Sequence, residues 1–136
     1  MFDDADIDAA VEGLMISKYR NSGQTCVCAN RFYIQARIYV EFAAKLAAKV
    51  AKLKVGNGFE DGVDQGPLID DKAVDKVEDH LANANAKGGE ILCGGKYHEL
   101  GHSFFEPTII KNVTKEMKVA CEETFGPIAP LFCWTS

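Results

Sequence analysis

The chain has 136 residues, of which 47% are hydrophobic and 26% charged, and its formal net charge is -5. That balance fits a soluble globular protein of one ordinary domain, which would bury roughly two thirds of its extended-chain surface. It argues against a nucleic-acid surface, because the acidic residues are spread along the chain and no basic patch stands out.

No apolar run approaches the ~18 residues needed to span a bilayer, and the start shows no charged-then-apolar leader, so the expectation is no membrane association and a cytoplasmic location. The five cysteines, Cys26, Cys28, Cys93, Cys121 and Cys133, are odd in number and irregular in spacing, which favours reduced thiols over a disulfide framework. His80, His98 and His102 form no ligand-spaced cluster with a cysteine pair, so no structural metal site is expected.

Asp3-Asp4-Ala5-Asp6 supplies an acidic helix start, with side-chain oxygens for the first free N–H groups. Ile7, Ala10, Val11, Leu14 and Lys18 follow at helical spacing, predicting a helix to about Tyr19. Arg20 to Arg31 reads as a helix-to-strand connector in which Gly23 permits a sharp turn, and Asn21 and Ser22 favour a helix end over its middle. Arg31 to Gln35 reads as a strand, rich in aromatic and β-branched residues.

Val40, Ala43, Leu46, Ala47, Val50 and Leu53 mark the stripe of a second helix that covers a sheet. Val55-Gly56-Asn57-Gly58 closes it, and Gly62 to Pro67 continues as an irregular loop with no visible role. A third helix is predicted from about Asp71 to Ala86, capped by Asp70 or Asp71, buried along Val74, Val77, Leu81 and Ala84, and ended by Gly88-Gly89. His80 on this helix reads as a surface or internally satisfied histidine.

Short strands are predicted at Ile91 to Cys93 and within Phe104 to Ile110, where Pro107 suggests an edge or a kink. A last strand runs from Ile128 to Ser136. Cys93 and Cys133 lie in apolar strand patterns and read as buried packing residues. Alternating helices and strands predict an α/β fold: a three-layer α/β/α sandwich with a largely parallel sheet.

Cys26 is the candidate for chemistry. A thiol on an irregular backbone can act as a nucleophile when backbone N–H groups or a cation stabilise its thiolate. Residue types alone favour a small packing residue at this position.

The run N-S-G-Q-T-C-V-C-A-N-R, Asn21 to Arg31, resembles the nucleophile segment of the aldehyde dehydrogenase superfamily, in which G-Q-x-C carries the catalytic thiol. With Lys18-Tyr19-Arg20 in front, it is most similar to the succinate-semialdehyde dehydrogenase branch. Downstream, Glu122-Glu123-Thr124-Phe125-Gly126-Pro127 resembles that family's E-x-F-G-P cofactor motif, and the likeness extends between the two.

The resemblance implies that Cys26 is the nucleophile. Glu123 matches the carboxylate that binds the nicotinamide-ribose hydroxyls, and Phe125 matches the aromatic beside that ring. Arg20 matches a contact to the substrate's far carboxylate, for which a guanidinium is well suited. Without the resemblance, Glu122-Glu123 would be a solvated pair, Phe125 a core residue and Arg20 a cation at a helix C-terminus. Cys28 is either a packing residue at the start of the strand or a redox partner for Cys26.

The family's enzymes are longer and keep a general-base glutamate, in an E-L-G-G motif, and their nucleotide-binding glycines upstream of the matching region. The resemblance therefore implies that residues 1–136 are part of a catalytic domain, inactive alone and binding no cofactor alone. The parent would use NAD or NADP and a small aldehyde substrate, and would be a homo-oligomer. Succinate semialdehyde is the leading substrate, with glutarate semialdehyde as the alternative. A non-catalytic interaction module or a redox-thiol module is the competing reading. Apolar surface left uncovered would promote self-association of the isolated chain.

Overall fold

The computed structural model describes residues 1–135, so the last residue of the predicted final strand, Ser136, lies outside the described residues. Among the described residues, four α-helices and four strands follow in the order α1 (Ile7–Tyr19), β1 (Phe32–Gln35), α2 (Ala36–Val50), α3 (Asp71–Ala86), β2 (Glu90–Cys93), β3 (Thr108–Lys111), α4 (Lys118–Cys121) and β4 (Ile128–Trp134), with a short 3-10 turn at Arg20–Gly23 after α1. The sheet order is β1-β4-β3-β2. β4 is parallel to both β1 and β3, and only β2 runs antiparallel. The expected largely parallel sheet is therefore present.

Two helix starts follow from their acidic caps. Asp6 Oδ1 accepts from Ala9 N at 3.0 Å, and Asp70 Oδ1 accepts from Ala73 N at 2.8 Å, each satisfying one of the free donors of a first turn. Consecutive strand residues face opposite sides. Ile109, Ala129 and Leu131 pack with α1 and α2, whereas Ile110, Ile128 and Phe132 pack with α3 and Met117. Two cores thus share one sheet, which gives the three layers.

β4 carries Pro130 in the interior of the sheet, where a missing donor is ordinarily excluded. The register explains it. β3 pairs with residues 128 to 130 of β4, and the β1 ladder starts only at Leu131. Pro130 therefore sits at the end of both ladders. Pro107 immediately precedes β3, so it marks a strand start and not an edge.

Three expectations about burial need correction. Val40 is 79% exposed, and the buried stripe of α2 runs through Ile38, Tyr39, Phe42, Ala43, Leu46 and Val50. β1 passes directly into α2 at Ala36, which starts the helical phase four residues before Val40. Cys93 is only half-buried and Cys133 is exposed. Cys133 follows Ala129 and Leu131 on one face, but it lies near the end of β4, open to solvent.

Candidate active site

The connector after α1 is built from an unusual backbone. Asn21, Ser22 and Gly23 have φ of 49°, 55° and 76°, three successive residues in the left-handed region. Only the glycine adopts it without steric cost. Neighbouring groups hold the other two. Asn21 Nδ2 donates to Gln24 O at 3.2 Å, Gln24 N donates back to Asn21 O at 3.1 Å, and Ser22 Oγ donates to Gly66 O at 3.0 Å.

The loop that showed no role in sequence supplies this support. Gln65 Nε2 donates to Tyr19 O at 2.5 Å, and Ile69 N donates to Gln24 Oε1 at 2.9 Å.

A tight turn follows, in which Cys28 N donates to Thr25 O at 3.1 Å. Cys26 and Val27 occupy its two corners, and both are exposed. Among the described residues, nothing accepts from the Cys26 backbone N–H. The next thiol points the other way. Cys28 is buried, its sulfur lies 2.9 Å from Thr25 Oγ1, and it donates to Lys18 O at 3.8 Å. Both thiols are free.

The two motifs meet in space. Gly23 packs so tightly against Gly126 that a Cβ at position 23 would overlap the Gly126 carbonyl. Around that contact, Lys18 Nζ donates to Thr124 O at 3.1 Å and Thr124 N donates to Asn30 Oδ1 at 3.0 Å. Lys18 is fully buried. Desolvation lowers its pKa from 10.5 to about 8, partly offset by electrostatic interaction with Cys28 and Glu123.

His80 is also fully buried, with Nδ1 at 2.7 Å from Thr124 Oγ1 and Nε2 at 3.1 Å from Glu122 Oε2. It is the internally satisfied histidine of the two readings. Glu122 is held below the usual carboxylate range by its bonds to His80 and Lys76.

Glu123 and Phe125 flank the buried Thr124 and are exposed. Among the described residues, the Glu123 carboxylate accepts no hydrogen bond, so it is open to a pair of hydroxyls, and the Phe125 ring offers a free face two residues on. A free carboxylate beside an exposed aromatic ring suits a ligand that carries hydroxyls next to a planar ring. Arg20 is exposed and makes no ion pair or side-chain hydrogen bond among the described residues. It borders a shallow groove with Ile16, Leu53 and Asp64, and Cys26 does not line that groove.

The Gly23–Gly126 contact thus sets the loop of Cys26 against the loop of Glu123 and Phe125, with Arg20 on the flank of the same connector. Lys18, Asn30, Thr124 and His80 were not legible as site residues. The one available signal was a lysine on the apolar stripe of α1, four residues after Leu14.

Comparison with known proteins gives consistent matches along the whole chain. The model for the aldehyde dehydrogenase family matches residues 1–136. A 3-sulfolactaldehyde dehydrogenase of Pseudomonas putida is 61% identical over 100% of this chain and 28% of its own length. A glutarate-semialdehyde dehydrogenase of Pseudomonas aeruginosa is 62% identical over 97% of this chain and 27% of its own length.

The crystal structure of a succinate-semialdehyde dehydrogenase from Burkholderia pseudomallei superposes with a TM-score of 0.99 at 62% identity, covering 100% of this chain and 28% of that one. The chain spans little more than a quarter of the length of the curated relatives it matches.

Proposed function

The chain belongs to the aldehyde dehydrogenase family, and from that premise we propose that it carries the nucleophile and part of the coenzyme site of an NAD- or NADP-dependent oxidation of an acid-ended aldehyde. The observation that carries the reading is the contact of Gly23 with Gly126, which sets the exposed Cys26 loop against the loop of Glu123 and Phe125.

In this reading the Cys26 thiol gives up its proton and its sulfur bonds to the aldehyde carbon, forming a thiohemiacetal. The unpaired Cys26 N–H supports the oxyanion as charge develops there. Glu123 binds the ribose hydroxyls and Phe125 packs beside the nicotinamide. NAD or NADP, when bound, supplies the hydride acceptor. Covalent capture helps because a tetrahedral adduct releases hydride more readily than a planar aldehyde. The thioester left on Cys26 then takes up water, releasing the acid and restoring the thiol.

Succinate semialdehyde is the leading substrate and glutarate semialdehyde the second. Both have a carboxylate at the far end, and the sulfonate of a sulfolactaldehyde has the same charge there. Arg20, exposed and free of partners among the described residues, is the group we assign to that anion.

No E-L-G-G motif or nucleotide-binding glycine segment occurs in residues 1–136. We therefore assign turnover to a longer polypeptide that includes these residues, and expect none from them alone. The test is formation of reduced coenzyme by that polypeptide with succinate semialdehyde, glutarate semialdehyde and an uncharged aldehyde. Cys26→Ala should abolish it, and an undiminished rate in that variant would overturn the assignment.

A further inference from the structure

We propose that Thr124 is a positioning residue of the coenzyme loop, clamping it so that Glu123 and Phe125 face outward in a fixed relation to the Cys26 loop. This rests on the reading of Glu123 and Phe125 as coenzyme contacts.

Every hydrogen-bonding group of Thr124 is engaged, each by a different part of the fold. Its N–H donates to Asn30 Oδ1 at 3.0 Å, just beyond the nucleophile turn. Its carbonyl accepts from Lys18 Nζ at 3.1 Å, in the last turn of α1. Its hydroxyl lies 2.7 Å from His80 Nδ1, on α3. The residues on either side are exposed, while Thr124 itself is 2% exposed.

The far side of the His80 ring is held as well. Glu122, ionised below the usual carboxylate range, can only accept, so His80 Nε2 carries a proton and donates to it at 3.1 Å. Nδ1 on the other side of the ring shares its one hydrogen bond with the Thr124 hydroxyl at 2.7 Å. Lys76 lies 3.3 Å from the same Glu122 oxygen and holds that carboxylate in place.

The arrangement is a relay of position, not of protons to substrate. Glu122 fixes the ring, the ring fixes Thr124, and Thr124 fixes its two neighbours. Backbone bonds alone would anchor any residue at 124, but the hydroxyl makes threonine or serine the requirement. A valine of the same shape would leave His80 Nδ1 buried and unpaired.

The experiment compares Thr124→Val and Thr124→Ser in this chain, reading amide hydrogen exchange across residues 122 to 127 together with the global unfolding midpoint. Thr124→Val should exchange roughly five- to tenfold faster in that segment, the factor for losing one net hydrogen bond, while α2 keeps its protection. Thr124→Ser should restore the slow rate.

Wild-type exchange in Thr124→Val would overturn the proposal. So would a uniform rise across the chain, which would mark a merely structural role. In the longer polypeptide, Thr124→Val should raise the coenzyme KM more than it lowers kcat. There, Glu123→Gln and Phe125→Ala test the coenzyme reading separately. If neither moves the coenzyme KM while Thr124→Val still loosens the loop, the coenzyme reading fails and the clamp stands.

Discussion

Lys18 offers a direct measure of how completely the site is closed to water from below. Its ammonium is fully buried at the Thr124 carbonyl, and its pKa falls from 10.5 to about 8, chiefly through desolvation. A group whose folded pKa lies below its unfolded value loses its proton first in the folded state. Between pH 8 and 10.5 the unfolded chain therefore binds more protons, and stability rises with pH. Below about pH 8 the buried charge costs the fold its full penalty. At about 1.4 kcal/mol per pKa unit, a shift of this size amounts to about 3 kcal/mol.

Wild type alone would not isolate that term. Burial raises Tyr19 well above its usual value and raises Cys93 as well, and both shifts remove stability as pH climbs past 9 to 10. Lys18→Met keeps the stem and deletes the charge while leaving those groups in place. The assay is denaturant unfolding of both chains at a series of pH values. The stability of wild type relative to the variant should increase by about 3 kcal/mol between about pH 8 and 10.5. Two curves that stay parallel through that window would refute the claim that this lysine is desolvated in the fold.

Gly23→Ala should lose more than about 2 kcal/mol, because φ is 76° and the new methyl meets the Gly126 carbonyl; an unchanged urea midpoint would contradict the interloop contact. Brief alkylation of the native chain should label the exposed Cys26, Cys121 and Cys133 ahead of Cys28, so equal labelling of Cys28 would show that the nucleophile turn opens readily. Under mild peroxide, a Cys26–Cys28 disulfide, the two sulfurs losing their protons and electrons to the oxidant, would require the turn to open, because the Cys28 sulfur is buried and directed toward Lys18 O; mass spectrometry reads the linkage. An unlinked pair would remove the redox role for Cys28. In the longer polypeptide, Arg20→Leu should raise the KM for succinate semialdehyde far more than for an uncharged aldehyde, and equal effects on both would remove Arg20 from substrate binding.

The parts of the fold that were legible are those set by local chemistry. Asp6 and Asp70 announce helix starts because a carboxylate can satisfy free N–H groups without tertiary help. Val74, Val77, Leu81 and Ala84 repeat at a helical period and are all buried. Val40 misled because Ile38, Tyr39, Val40 and Phe42 are nearly contiguous. The phase of that stripe depends on where β1 hands over to α2, which periodicity does not reveal.

The segments proposed to carry the nucleophile and the coenzyme contacts were readable as two motifs. Their supports were not, because Lys18, Asn30 and His80 act on Thr124 across separations of 44 to 106 residues. A buried cation in an apolar stripe violates the pattern that sequence reading relies on. Such violations concentrate where a fold gives up stability for a fixed geometry.

The connector follows the same logic. Two non-glycine residues in the left-handed region cost of order 1–3 kcal/mol each, and a short peptide of this sequence has nothing to offset that. Here the offset comes from elsewhere in the chain: Gly66 accepts from Ser22, Ile69 donates to Gln24, and Gln65 ties down the end of α1. At about 1 kcal/mol net each, these bonds are of the right size to balance the strain. The conformation that exposes Cys26 is therefore a property of the folded layer around it, not of the residues N-S-G-Q-T-C themselves. Because Gly23 bears on Gly126, that same layer fixes where Glu123 and Phe125 stand. On the proposed reading, the thiol and the coenzyme contacts hold their spacing through the Gly23–Gly126 contact and the bonds of Thr124, which makes substitutions at Gly23 or Thr124 as consequential for the geometry as those beside the sulfur.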